Sequence, residues 1–151
     1  LRLRIAAGER DAEVVGECFA ALLELAGADA IEFVARFLGH PDEALAEAAA
    51  LALGGSRLRP AFAVLRAAIE ADVGGPSRRV RMLAIALLRD DDAWSWLLDT
   101  IENESPAAAT DAIHALASFR HDTELCARIR DALARRGDAS LTRLAEEALT
   151  D

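Results

Sequence analysis

The sequence predicts an all-α protein built as a right-handed α-α superhelix, a solenoid of about four helical hairpins followed by one terminal helix. Alanine, the residue with the highest helix propensity, is the commonest residue, and tyrosine is absent. Hydrophobic residues make up 53% of the 151 positions, which is enough for a substantial core. Apolar residues also recur in phase roughly every 32 positions, which is the signature of stacked helix pairs.

Three columns of apolar residues carry the prediction of a repeat. The first column is Val34, Leu65, Leu97 and Ile129, at intervals of 31, 32 and 32 positions. The second column is Leu38, Ile69, Ile101 and Leu133, and the third is Ile31, Phe62, Trp94 and Cys126. Their spacing of i, i+3 and i+7 places them on one helix face. Because one hairpin cannot cover such a face by itself, we expect successive hairpins to bury their faces on one another.

The whole chain, residues 1–151, is predicted to be a single array. Its repeats are predicted at 12–40, 42–73, 77–104 and 106–136, with a partial repeat at 139–151. Within the second repeat, Gly54 and Gly55 are expected to end one helix, because glycine adopts the left-handed conformation at little cost, and Pro60 to open the next. The predicted N-caps of the second helices are Asp29, Asp92 and either Asp122 or Thr123.

Two segments resemble HEAT-like repeats of the phycobilisome-lyase type. In "SRRVRMLAIALLRDDDAWSWLLDTIENES" (77–105) the matching positions are Val80-Arg81, Ala84, Ala86-Leu87, Asp92 and Leu97-Leu98. "DEALAEAAALALGGSRLRPAFAVLRAAIEAD" (42–72) matches in the same register through Ala52-Leu53-Gly54. The resemblance covers about residues 12–151 and implies an α-solenoid. Only one unit keeps Val-Arg, and Arg81 alone matches the Asp/Arg ladder that members of the family often have.

The charge and cysteine content indicate which kinds of partner and which cell compartment to expect. The net charge is −9 with no basic stripe, which argues against nucleic acid as a partner. No apolar run is long enough to cross a membrane. Cys18 and Cys126 form neither a metal-ligand pair nor a disulfide framework, so we expect a reducing cytoplasm. All 17 basic residues are arginine, a composition that we interpret as bacterial-like. Because the sequence begins at Leu1, we expect a piece of a longer chain.

Two charged segments have both a structural and a chemical interpretation. The carboxylates of "RDDDAWSW" (89–96) are ligands for hard cations, but they also complement a helix N-terminus, and we favour the second role. The arginines of "PSRRVRM" (76–82) are expected to pair with Glu70, Asp72 or Asp42 rather than with phosphate. His114 aligns with Ala20, Leu51 and Ile85, and is therefore expected to be packed. We predict no catalytic residue, no metal and no cofactor, because no GxSxG, HExxH or phosphate-binding loop is present.

One face of the second helices is the predicted binding surface. Trp96 follows the core column by two residues, a rotation of about 200°, so its indole should leave the core face. In HEAT-like arrays the second helices line the concave side, and large aromatic residues there serve as binding anchors. The candidate partner-binding residues are Phe33, Arg36, Arg66, Trp96 and Arg128.

These features favour a protein–protein interaction scaffold or adaptor whose partner is an unidentified protein. An alternative is a tetrapyrrole-lyase-like enzyme or accessory, which rests on the resemblance alone. A HEAT-like DNA glycosylase is a more remote alternative, because the acidic charge opposes the binding of phosphates. The final helix, 140–150, exposes one flank unless the chain continues, and this predicts end-to-end self-association.

Overall fold

A computed structural model describes residues 11–72 and 75–150, and every regular element in those ranges is a helix. The predicted all-α class is therefore confirmed for the described residues. The α-helices are α1 (Ala12–Ala26), α2 (Ile31–Ala35), α3 (Glu43–Gly55), α4 (Ala61–Ala71), α5 (Arg78–Leu87), α6 (Asp91–Asn103), α7 (Pro106–Ala117), α8 (Thr123–Arg136) and α9 (Ala139–Thr150). A short 3-10 helix, Gly27–Ala30, joins α1 to α2. The predicted array also includes residues 1–10, 73, 74 and 151, which lie outside the described ranges.

The chain divides into two compact units, Leu1–Asp90 and Asp91–Asp151. In the first unit α1 packs on α3 and α3 packs on α5, while α4 contacts both α3 and α5. In the second unit α6 packs on α8 and α7 packs on α9, and α6 also contacts α7 while α8 contacts α9. Each unit therefore combines contacts between sequential helices with contacts between alternate helices. The predicted range 77–104 contributes α5 to the first unit and α6 to the second.

The core of each unit is built on the apolar columns that recur in the sequence. The first column, Val34, Leu65, Leu97 and Ile129, is at most 1% exposed. The second column, Leu38, Ile69, Ile101 and Leu133, is also buried. The burial predicted for these two columns is confirmed. In the third column Ile31 and Cys126 are buried, whereas Phe62 and Trp94 are half-buried.

Several helices begin at a side chain that accepts a hydrogen bond from a backbone N–H. Asp11, Asp42 and Ser105 cap α1, α3 and α7 in this way. Asp122 accepts from Leu125 N at 3.0 Å and caps α8, as predicted. The predictions for Asp29 and Asp92 were wrong. Asp29 lies in the 3-10 helix that runs directly into α2, and Asp92 lies in the first turn of α6, which begins at Asp91.

The predicted helix end at Gly54 and Gly55 is confirmed in position, because α3 ends at Gly55, but neither glycine adopts the left-handed conformation that was expected to end it. The left-handed conformation falls on Arg57, with φ 54°, and similarly on Arg89, with φ 51°. Gly54 is needed for a different reason, because a Cβ atom added there would lie only 2.7 Å from Ala84 Cα in α5. The glycine therefore permits a close approach of two helix backbones.

Candidate functional site

The predicted binding residues are distributed over the two units. Phe33 lies in α2, Arg36 directly follows α2, and Arg66 lies in α4, all in the first unit. Trp96 lies in α6 and Arg128 in α8, in the second unit. The proposed binding role of all five residues remains a prediction.

In the first unit, Phe33 belongs to an aromatic cluster. Its ring centroid lies 5.8 Å from that of Phe37, and the Phe37 centroid lies 4.9 Å from that of the fully buried Phe19. This chain of contacts holds the half-buried Phe33 against the core. His40 stacks on the far side of Phe37 at 6.0 Å, and its Nδ1 accepts a hydrogen bond from Asp42 N.

The two arginines of the first unit form local ion pairs. Arg36 lies 3.5 Å from Glu32, and Arg66 Nε lies 2.7 Å from Glu70 Oε1, both at i,i+4 spacing on the helix surface. Exposed pairs of this kind contribute about 0.3–0.5 kcal/mol each. A partner can therefore replace either interaction at small cost.

In the second unit, α6 and α8 enclose a groove of about 320 Å³. We call it the α6–α8 groove, and its lining residues are Ser95, Leu98, Asp99, Glu102, Arg128, Asp131 and Arg135. Arg128 is held at two points, since Nη1 donates to Asp91 Oδ1 at 2.7 Å and Nη2 donates to Ser95 Oγ at 3.0 Å. The guanidinium therefore joins α8 to α6 at one side of the groove.

A second arginine crosses between the same two helices. Arg135 Nε donates to Glu102 Oε2 at 2.8 Å. This contact lies about two helical turns beyond the contact between Arg128 and Ser95. Asp131 lies between these arginines on α8 and is exposed, and Asp99 lies on α6, where its Oδ1 accepts from Asn103 Nδ2 at 2.7 Å. The groove lining therefore contains two guanidinium groups, three carboxylates and the buried side chain of Leu98.

Of the predicted residues, only Arg128 lines this groove. Trp96 directly follows the groove residue Ser95 and is half-buried, and its carbonyl oxygen accepts a hydrogen bond from the hydroxyl of Thr100. The indole of Trp94 instead packs against Phe119, with ring centroids 5.5 Å apart. The remaining lining residues were not predicted. The repeat period marks only Asp99 and Asp131, which are 32 positions apart like the apolar columns, whereas the paired residues Ser95 and Arg128, and Glu102 and Arg135, are 33 positions apart.

Two of the three consecutive aspartates, 90–92, form ion pairs with arginines. Asp90 pairs with Arg59 at 2.9 Å within the first unit, and Asp91 pairs with Arg128 at 2.7 Å within the second. Within residues 11–72 and 75–150, no group of three or more His, Cys, Asp or Glu residues is arranged to hold a metal ion. The segment therefore serves helix initiation and ion pairing in the described structure.

The arginines of the segment 76–82 include one buried member. Arg81 donates to Leu38 O at 2.8 Å, to Ala68 O at 3.0 Å and to Asp72 Oδ2 at 3.3 Å. The predicted pairing with Asp72 is thus present. Arg81 also satisfies backbone carbonyls near the ends of the second helices, which a lysine could not reach with the same forked geometry.

The environment of His114 differs from the prediction. Of its column, Ile85 is buried, but Ala20 and Leu51 are exposed and His114 is half-buried. The column lies at the edge of the first-helix face, where burial depends on the neighbouring helix. His114 lines a separate shallow cavity of about 470 Å³ with Arg120, Leu144 and Glu147.

One ion pair between α8 and α9 shifts the pKa values of its members. Arg130 Nε donates to Glu146 Oε1 at 2.8 Å and Nη2 donates to Oε2 at 3.2 Å. These hydrogen bonds, together with the charge of Arg130, lower the pKa of Glu146, and the same contact raises the pKa of Arg130. The pair is a surface contact that joins the last two helices.

Searches against protein-family models, curated proteins and solved structures found no match. Across the described part of the chain, no helix has both the length and the apolar character needed to span a membrane. The class that fold and site define is thus a helical protein with a charged interhelical groove.

Proposed function

We propose that this chain is a HEAT-like α-solenoid module that binds another protein through the face formed by its second helices. The α6–α8 groove carries the proposal. Its lining combines two guanidinium groups and three carboxylates with an apolar side chain, and both arginines pair with residues on the neighbouring helix. Complementary charges on a partner give binding specificity and speed association.

The repeat assignment rests on the packing of alternate helices and on the buried columns. α1, α3 and α5 form one row and α7 and α9 another, while α6 packs on α8. This is the contact pattern expected when each helix pair buries its face on the next. In such an array the α6–α8 contact belongs to the inner, second-helix row.

The chemistry of the groove defines the kind of surface that it recognises. The lining has three carboxylates against two guanidinium groups, so we expect a polar partner segment with at least one lysine or arginine. Asp131 is the expected contact, because its exposed carboxylate makes no ion pair with a described residue. Leu98 supplies an apolar contact at the base. We place this activity in a reducing compartment, because Cys18 and Cys126 are buried free thiols.

Affinity capture with charge-reversed variants tests the proposal. The intact chain is immobilised, exposed to extract from its source cell, cross-linked and analysed by mass spectrometry. Asp131→Arg reverses a charge in the groove, and Glu104→Arg reverses an exposed charge outside it. We expect a partner that cross-links to α6 or α8 and whose affinity falls about tenfold with Asp131→Arg, since loss of a rim charge pair has an effect of this order.

Retention of that partner by Glu104→Arg shows that the effect belongs to the groove and not to net charge. If the wild-type chain captures no specific protein, or if Asp131→Arg and Glu104→Arg bind alike, the second-helix face is not the binding site. Circular dichroism of each variant verifies that the helices are intact.

A further inference from the structure

The first unit exposes apolar surface on the opposite set of helices. Leu25 is 80% exposed and Leu51 is 40% exposed, and they are the large hydrophobic side chains that the described residues leave open to solvent. Leu25 lies in the last turn of α1, and Leu51 lies in the second half of α3. Single exposed leucines are ordinary, so the surroundings of Leu51 decide whether they have a role.

Leu51 lines a groove of about 340 Å³ between the C-terminal halves of α1 and α3. We call it the α1–α3 groove, and its lining residues are Ala20, Leu23, Glu24, Leu51, Ala52, Gly55 and Ser56. Alanine or glycine occupies three of these positions, so few large side chains fill the groove. The groove is therefore shaped to receive a protruding apolar side chain.

The two helices that form the α1–α3 groove carry only negative side chains. Glu24 lines the groove, Glu13, Glu17, Glu43 and Glu47 lie in the N-terminal halves of α1 and α3, and neither helix contains arginine or lysine. Arg57 is exposed and directly follows the groove residue Ser56. Among residues 11–72 and 75–150, no arginine forms an ion pair with any of these five carboxylates. The C-terminal ends of both helices, which carry partial negative charge, also lie at the groove, and neither has a basic residue in its last turn.

We propose that the α1–α3 groove binds an amphipathic helix of a partner protein, which inserts an apolar side chain beside Leu51 and places a lysine or arginine beside Glu24. The apolar walls supply burial, and the negative field selects a cationic flank. A second copy of this chain does not fit this description, because its net charge of −9 would be repelled. This surface is separate from the α6–α8 groove and does not depend on the function proposed there.

A synthetic amphipathic peptide of leucine and lysine serves as the probe, and its leucine–glutamate counterpart serves as the charge control. Binding to the intact chain is measured by calorimetry, and the contact residues are located by amide chemical shifts. We expect the lysine peptide to shift the amides of Leu23, Leu51 and Gly55. Glu24→Arg should weaken its binding about tenfold and Leu51→Gln by a similar factor, whereas Glu104→Arg in the second unit should leave binding within about twofold.

Three results would overturn the proposal. Equal weakening by Glu24→Arg and Glu104→Arg would mean that the peptide responds only to net charge. Equal binding of the glutamate peptide would mean that the acidic rim selects nothing. A dimer of the wild-type chain that Leu51→Gln converts to a monomer would identify a second copy as the occupant. Glu24 and Leu51 are exposed, so both variants should fold, and their circular dichroism is compared with that of the wild type.

Discussion

At the scale of single residues, Arg81 is a buried charged side chain that bonds to residues from several parts of the first unit. It is 5% exposed and donates to carbonyls of Leu38 and Ala68, so it joins α5 to the ends of two earlier helices. Its Nε is buried and has no hydrogen-bond partner among the described residues. The benefit of Arg81 therefore comes from the carbonyls that its two terminal nitrogens satisfy.

Substitution of Arg81 should be far more destabilising than substitution of its acidic partner. Arg81→Met leaves the two carbonyls without this donor, and each such loss costs about 1–3 kcal/mol, so we expect the free energy of unfolding to fall by roughly 2–6 kcal/mol. Asp72 is 52% exposed, so Asp72→Asn should change stability by less than about 1 kcal/mol. Urea denaturation measures both, and equal losses would show that the ion pair, not the carbonyl contacts, stabilises this position.

Sequence reasoning at this scale identified Arg81 as distinctive but not what it contacts. Its pairing with Asp72 was among the expected pairings because the two residues are close in sequence. The contact with Leu38 spans 43 positions, and nothing local in the sequence encodes it. The role of Gly54 was missed for a similar reason, since its neighbour Ala84 is brought close only by the packing of α3 on α5.

At the scale of helices, apolar periodicity predicted the buried faces well, but it did not predict the charged groove. The first two columns are buried because side-chain direction in a helix is fixed by geometry. Charged side chains are long and flexible, so their partners depend on which helices become neighbours. The contacts of Arg128 with Ser95 and of Arg135 with Glu102 span 33 positions, one more than the apolar columns, so the repeat period does not mark them. Of the predicted binding residues, Arg128 lines the α6–α8 groove and Trp96 does not, and a binding role for Trp96 remains a prediction.

The contact between α8 and α9 predicts a specific dependence of stability on pH. Because the pKa of Glu146 is lowered in the folded state, its ionisation stabilises the fold at pH values above its ordinary value of 4.5. This contribution is lost as the pH falls through the lower folded pKa. We expect Glu146→Gln to be slightly less stable than the wild type at neutral pH and equally stable in strong acid.

An NMR titration of Glu146 measures the cause directly. Its pKa should return toward the ordinary value in Arg130→Met, and high salt should reduce the shift, because the pair is exposed. An unchanged pKa in Arg130→Met would assign the shift to another group.

The end-to-end self-association expected for α9 remains a prediction, and light scattering tests it.

At the scale of the whole molecule, the two compact units and the proposed repeat predict which helices lose stability when one contact between helices is disturbed. Gly54→Ala forces a Cβ atom against the α5 backbone, and overpacking of this kind costs about 1–3 kcal/mol. Gly55→Ala is the matched control, because a Cβ there meets nothing within 4 Å, and alanine in a helix should stabilise by about 0.5–1 kcal/mol. If stability is a sum over neighbouring repeats, hydrogen exchange in Gly54→Ala should accelerate in α1, α3 and α5 and change little in α7 and α9. Uniform acceleration would instead show that the chain unfolds as one cooperative body, which would contradict the repeat-wise additivity that a solenoid requires.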